Sequence, residues 1–201
     1  MLHTLSRRLP LRLTVAGLYL FTVAMLQVSQ TQAQNSQAPF RLSVIPKPRE
    51  MTVTVETFRL DRSAHITLAD PHSPDDQFAA ADFIADVKET TGLSLKTRHS
   101  RGRQTILIGL LSNSAIQSAL KAAAFAMPAT LNEEGYVLSV NKDGVIVGGA
   151  NVAGTFYGLQ TLKQLVRGES TNAFIPGVRI TDWPALRWRG VSDDISRGPV
   201  P

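Results

Sequence analysis

Residues 136–166 read YVLSVNKDGVIVGGANVAGTFYGLQTLKQLV. Tyr136–Val140 and Val145–Val147 are short, apolar and rich in β-branched residues. They flank Asn141-Lys142-Asp143-Gly144, where the glycine can take a positive φ, so the stretch predicts a β-hairpin. From Asn151 the period changes. Phe156, Leu159, Leu162 and Val166 recur at helical spacing, and Gly168 supplies a stop. A hairpin feeding a helix that must bury its apolar face against strands is the seed of a layered α+β fold.

The flanking sequence extends that layer. Thr105–Gly109 (TILIG) is a continuous apolar run, which predicts a strand covered on both faces. Asn113–Phe125 is Ala-rich and helix-like, stopping before Pro128. Pro74, Asp75 and Asp76 open a helix from about Gln77 to Thr90, with Phe78, Ala81, Ile84 and Val87 as its apolar stripe and Gly92 as its stop. Met51–Leu60 alternates polar and apolar residues and predicts a strand, as does Ala64–Leu68. Pro46 and Pro48 keep Phe40–Pro48 extended and at an edge. Ile175–Ile180 is the last strand, and Asp182-Trp183-Pro184 marks a boundary. The fold class is α+β: a mostly antiparallel or mixed sheet carrying two or three helices on one face.

The chain has 201 residues and no Cys, so disulfides, Cys-ligated metals and thiol nucleophiles are excluded. Its net charge of +5 raises the question of nucleic acid. The excess is concentrated at the start, where Arg7, Arg8 and Arg12 precede the apolar run Leu13–Leu26 and a polar stretch with small residues ending at Ala33. That is the three-part pattern of a secretory signal peptide over residues 1–33, and the apolar run is shorter than the roughly 20 residues a spanning helix needs. Cleavage removes three Arg and no acid, leaving a net charge of +2 on scattered residues. No nucleic-acid partner is expected, and no membrane association after cleavage. The expected localisation is periplasmic or extracellular. A polar linker covers residues 34–39.

Several clusters invite a chemical reading. Gly149 and Gly154 have the spacing of a phosphate-binding loop, but Thr155 stands where such a loop needs Lys, and the glycines serve a tight strand-to-helix turn equally well. His65, His72 and His99 lack ligand spacing, so no metal site is expected. Glu133-Glu134 and Asp75-Asp76 read as solvated or helix-opening acids. Trp188-Arg189-Gly190 with Asp193, Asp194 and Arg197 is different. Arg donates paired hydrogen bonds to vicinal hydroxyls, carboxylates accept from them, and Trp offers a face to a pyranose ring. A charged, exposed tail accounts for the same residues.

Taken in order, Val44-Ile45-Pro46-Lys47-Pro48, Glu134-Gly135-Tyr136-Val137-Leu138, Gly154–Leu165 (GTFYGLQTLKQL), Ile180-Thr181-Asp182-Trp183-Pro184, and Trp188-Arg189-Gly190 with Asp194-Ile195-Ser196-Arg197 resemble the bacterial β-N-acetylhexosaminidases of glycoside hydrolase family 20. The resemblance implies an accessory α+β domain over residues 40–183 and the truncated start of a catalytic TIM barrel over 184–201. It implies that Arg189 binds hydroxyls of a terminal N-acetylhexosamine in a glycan, and that Asp194 and Arg197 support the barrel mouth. Gly198 stands where the family usually has His. The implied chemistry is substrate-assisted and retaining, with no cofactor: the 2-acetamido carbonyl attacks the anomeric carbon and an Asp–Glu pair assists. A TIM barrel needs about 250 residues, and 18 follow Trp183, so no catalytic residue is expected in this chain. The expectation is the N-terminal part of an exported exo-acting enzyme. The alternative is a non-catalytic exported module that binds glycan or protein.

Overall fold

A computed structural model describes residues 42–99, 102, 104–190 and 192. The expected signal peptide, the linker, Asp194 and Arg197 lie outside the described residues. Seven strands form one sheet: β1 (Glu50–Arg59), β2 (His65–Leu68), β3 (Lys96–Thr97), β4 (Thr105–Leu110), β5 (Tyr136–Val140), β6 (Gly144–Gly149) and β7 (Phe174–Asp182). Among the described residues three α-helices accompany them: α1 (Pro74–Thr91), α2 (Ser114–Ala122) and α3 (Val152–Lys163).

The strand order is β1-β7-β5-β6-β4-β2-β3. The sheet is mixed in a regular way. β1, β7, β5 and β6 pair antiparallel, whereas β6–β4, β4–β2 and β2–β3 are parallel. The parallel half is where helices connect the strands, as crossovers require.

Residues alternate across the sheet, and the two faces have separate cores. Ile106 and Ile108 of β4, Val145 and Val147 of β6, and Leu138 of β5 face α1 and α3, meeting Phe83, Val87, Leu159 and Leu162. Leu107, Ile146 and Val137 point the other way, onto Ile116 and Leu120 of α2. Two helices therefore share one face and the third covers the other. This explains why TILIG is apolar without alternation: both of its faces are buried.

The helix ends follow side-chain chemistry. Ser73 caps α1, its Oγ accepting from Asp76 N at 3.2 Å, and Gly92 ends it at φ 76°. Asn113 and Asn151 cap α2 and α3. Arg179 of β7 donates to the carbonyls of Ala123 and Ala124, closing the exposed end of α2.

Two local expectations change, and one strand was not foreseen. Phe78 is not part of the α1 core stripe. It is 67% exposed and stacks on Phe156 of α3 at 6.3 Å between centroids. Gly144 does not have a positive φ. The Asn141 side chain closes the hairpin by accepting from Asp143 N and Gly144 N, and a Cβ at Gly144 would sit 3.0 Å from the Thr105 carbonyl. β3 carried no sequence signal, since only Lys96 and Thr97 pair with His65 and Ile66.

Candidate functional site

Gly149, Gly154 and Gly158 answer the phosphate-loop question. A Cβ at Gly154 would lie 2.2 Å from the Gly135 carbonyl oxygen, and one at Gly158 would lie 2.7 Å from Val147 Cγ1. A Cβ at Gly149 would meet Thr155 N at 2.2 Å. These glycines let α3 sit directly on the hairpin, which is a packing role. Among the described residues no three His, Asp or Glu side chains stand together as a metal site would need. His65 is a buried strand residue, its ring within 3.0 Å of Ser63 O and 3.2 Å of Thr105 Oγ1.

The strand register brings the scattered motifs together. β1 begins, β5 begins and β7 ends at the same edge: Tyr136 stands opposite both Asp182 and Gly149, and Glu50 opposite Thr181. Tyr136 Oη lies 2.6 Å from Thr161 Oγ1 and donates to Asp182 Oδ2 at 3.3 Å. Burial pushes the Tyr136 hydroxyl above its ordinary range, and the Asp182 carboxylate adds to this. Asp182 Oδ1 accepts from Arg49 N at 3.1 Å. The Arg49 guanidinium lies 4.8 Å from the Trp183 ring centroid and donates from Nε to the Trp183 carbonyl. The segment that follows the Pro46-Lys47-Pro48 motif is thus bound to the Asp182-Trp183 motif.

Arg189 completes the corner. Its guanidinium forms an ion pair with Glu134 and donates to the Leu186 carbonyl at 2.6 Å and to Tyr157 Oη at 3.4 Å. It also lies 5.8 Å from the Tyr157 ring centroid. Hydrogen bonding to Glu134, with Tyr157 adding, holds Arg189 above its ordinary range. Three of the five guanidinium N–H bonds are thereby engaged among the described residues, leaving two. A cleft of about 530 Å³ opens beside it, with Asn132, Glu133, Pro184 and Arg187 in its walls. Trp188 is 86% exposed and stacks on nothing described. Residues 188–190 form no strand, so the segment does not fold back into the sheet.

Sequence reasoning singled out Arg189 but not the side chains that meet it, Glu134 and Tyr157. Both were inside quoted motifs. What was missing is the register, which alone brings residues 55 positions apart into contact.

Comparison with known proteins agrees with this layout. Residues 41–183 match the family described as glycosyl hydrolase family 20, domain 2. A beta-hexosaminidase of Porphyromonas gingivalis is 31% identical over 198 residues, covering 92% of this chain and 23% of that protein. The solved family 20 β-N-acetylhexosaminidase of Streptomyces coelicolor A3(2) is 23% identical with a TM-score of 0.57, over 73% of this chain and 27% of that one. CpGH84D shares the fold at 18% identity and a TM-score of 0.61, over 75% of this chain and 25% of that one. The chain spans about a quarter of the length of these relatives. With a family match over most of its length, the chain belongs to glycosyl hydrolase family 20, and residues 41–183 are its domain 2.

Proposed function

We propose that this chain is the accessory portion of an exported exo-β-N-acetylhexosaminidase that releases terminal β-linked N-acetylglucosamine or N-acetylgalactosamine. The observation that carries the reading is the 31% identity to a beta-hexosaminidase across 92% of the chain. Residues 184–201 begin the catalytic barrel, with Asp194 and Arg197 bracing its mouth. Arg189 is the sugar-binding contribution of this portion: a guanidinium with two N–H bonds not engaged among the described residues suits a pair of ring hydroxyls.

In the whole enzyme the substrate's 2-acetamido carbonyl oxygen attacks the anomeric carbon as the glycosidic C–O bond breaks. A carboxylic acid of the barrel gives its proton to the leaving oxygen, and the carboxylate so formed takes a proton from the water that opens the cyclic intermediate with retention. An Asp–Glu pair beyond residue 201 performs these steps, and the acids of domain 2 do not substitute for it.

The test uses a chromogenic N-acetyl-β-glucosaminide. The full-length gene product is expected to hydrolyse it and the 201-residue chain to leave it intact. Turnover by the 201-residue chain would overturn the placement of the acid pair, and an inert full-length product would overturn the activity. The N-terminus of the exported protein is expected at Gln34, checked by sequencing the mature product.

A further inference from the structure

Glu134 and Tyr157 come from different parts of the chain and converge on one guanidinium. Glu134 lies in the turn before β5, fixed by two contacts of its neighbour Gly135: Gly135 N donates to Asn132 O, and the Gly135 carbonyl accepts from Ala150 N at 2.8 Å. The same carbonyl is the atom that forbids a Cβ at Gly154. Tyr157 sits one turn further along α3, its ring edge-to-face with Phe156. The two holders are thus tied to the hairpin and to the helix packed on it.

An ordinary surface ion pair is a poor description of this arrangement. Such pairs are made by long side chains that stay mobile and contribute little. Here the guanidinium meets a carboxylate, a phenol hydroxyl, an aromatic ring and a main-chain carbonyl, and side-chain exposure is 40% for Arg189 and 34% for Glu134. The planar fork of Arg loses orientational freedom when several of its donors are fixed, so the direction of the remaining N–H bonds is set.

The geometry points to Glu134 and Tyr157 as positioning residues: domain 2 holds the Arg189 guanidinium so that its two remaining N–H bonds meet the sugar hydroxyls. This rests on the reading of Arg189 as the sugar-binding residue. It gives domain 2 a part in substrate recognition.

The test is steady-state kinetics on the full-length enzyme. Glu134→Gln is expected to lower kcat/KM about tenfold, mainly through KM, because a charge-assisted hydrogen bond is lost from a partly exposed site. Glu134→Asp is expected to restore part of the loss, and Tyr157→Phe to cost less than Glu134→Gln. Thermal midpoints should stay at the parent value. In the Arg189→Ala background, Glu134→Gln should cost nothing further, since a holder has no role without what it holds. Full activity in Glu134→Gln beside a crippled Arg189→Ala would overturn the positioning role and leave Arg189 in the site. Additive losses in the double variant would do the same. Full activity in Arg189→Ala would instead overturn the reading on which the proposal rests.

Discussion

Asp76 and Asp82 both lie on α1, yet their surroundings push them in opposite directions. Asp76 is 1% exposed, its Oδ1 has no partner among the described atoms, and burial, with Asp70 and Asp75 adding to it, raises its pKa above the ordinary 3.8. Its contribution to stability is therefore present below about pH 3.8 and is lost as pH rises through the native value. Asp82 accepts from Lys163 Nζ at 2.7 Å and from Gln160 Nε2 at 2.8 Å, and Lys163 above all holds its pKa below 3.8. Its contribution is present above that pH and is lost as pH falls through the native value. Asp76→Asn is thus expected to raise the urea midpoint at pH 7 and to change nothing at pH 3. Asp82→Asn is expected to lower it at pH 7, an effect that shrinks progressively as pH falls below 3.8. Parallel pH profiles for the two variants would refute this assignment. None of it was legible beforehand: Asp76 read as a solvated or helix-opening acid, Asp82 drew no reading, and only tertiary packing separates a buried carboxyl from a paired one.

Among the elements, α3 carries the most information for its length. Its helical period was legible from Phe156, Leu159, Leu162 and Val166, and Asn151 caps it. The reason for its glycines was legible only as a preference, because close approach is a property of two elements. Gly154→Ala tests it directly. Helix propensity alone favours Ala over Gly by up to about 1 kcal/mol. The Cβ would lie 2.2 Å from a backbone oxygen that can move only if the turn before β5 moves. Overpacking of that kind costs roughly 1–3 kcal/mol, so net destabilisation is expected in urea unfolding. A stabilised variant would mean that α3 rides higher on the hairpin than described. The exposed Phe78 shows the converse limit. Periodicity placed it on the α1 stripe, but its partner is Phe156 at the rim of the helix pair. Strand β3 had no readable pattern because two residues are too few for one.

At the scale of the whole molecule, the feature that sequence order hides is the closure of the sheet. β7 is inserted between β1 and β5, so the first and last strands pair across more than a hundred residues, with Met51 opposite Ile180. Loop-closure entropy must be offset before that pairing contributes, and such topologies fold slowly. Refolding followed by stopped-flow fluorescence of Trp183 is expected on the millisecond-to-second scale. A chain cut after Gln164 should show no cooperative melting, since β1 loses its strand neighbour and β5 one of its two. A microsecond phase carrying the full amplitude would contradict the expected order of assembly.

The clasp of Arg49 on Asp182 and Trp183 has a corollary for how such a unit travels in evolution. A folded body whose two ends leave from a single corner can be spliced into a foreign loop without prising the host apart. Domain 2 is, in that sense, a portable cassette, and its latch is the part a protein engineer would need to carry along when grafting it elsewhere.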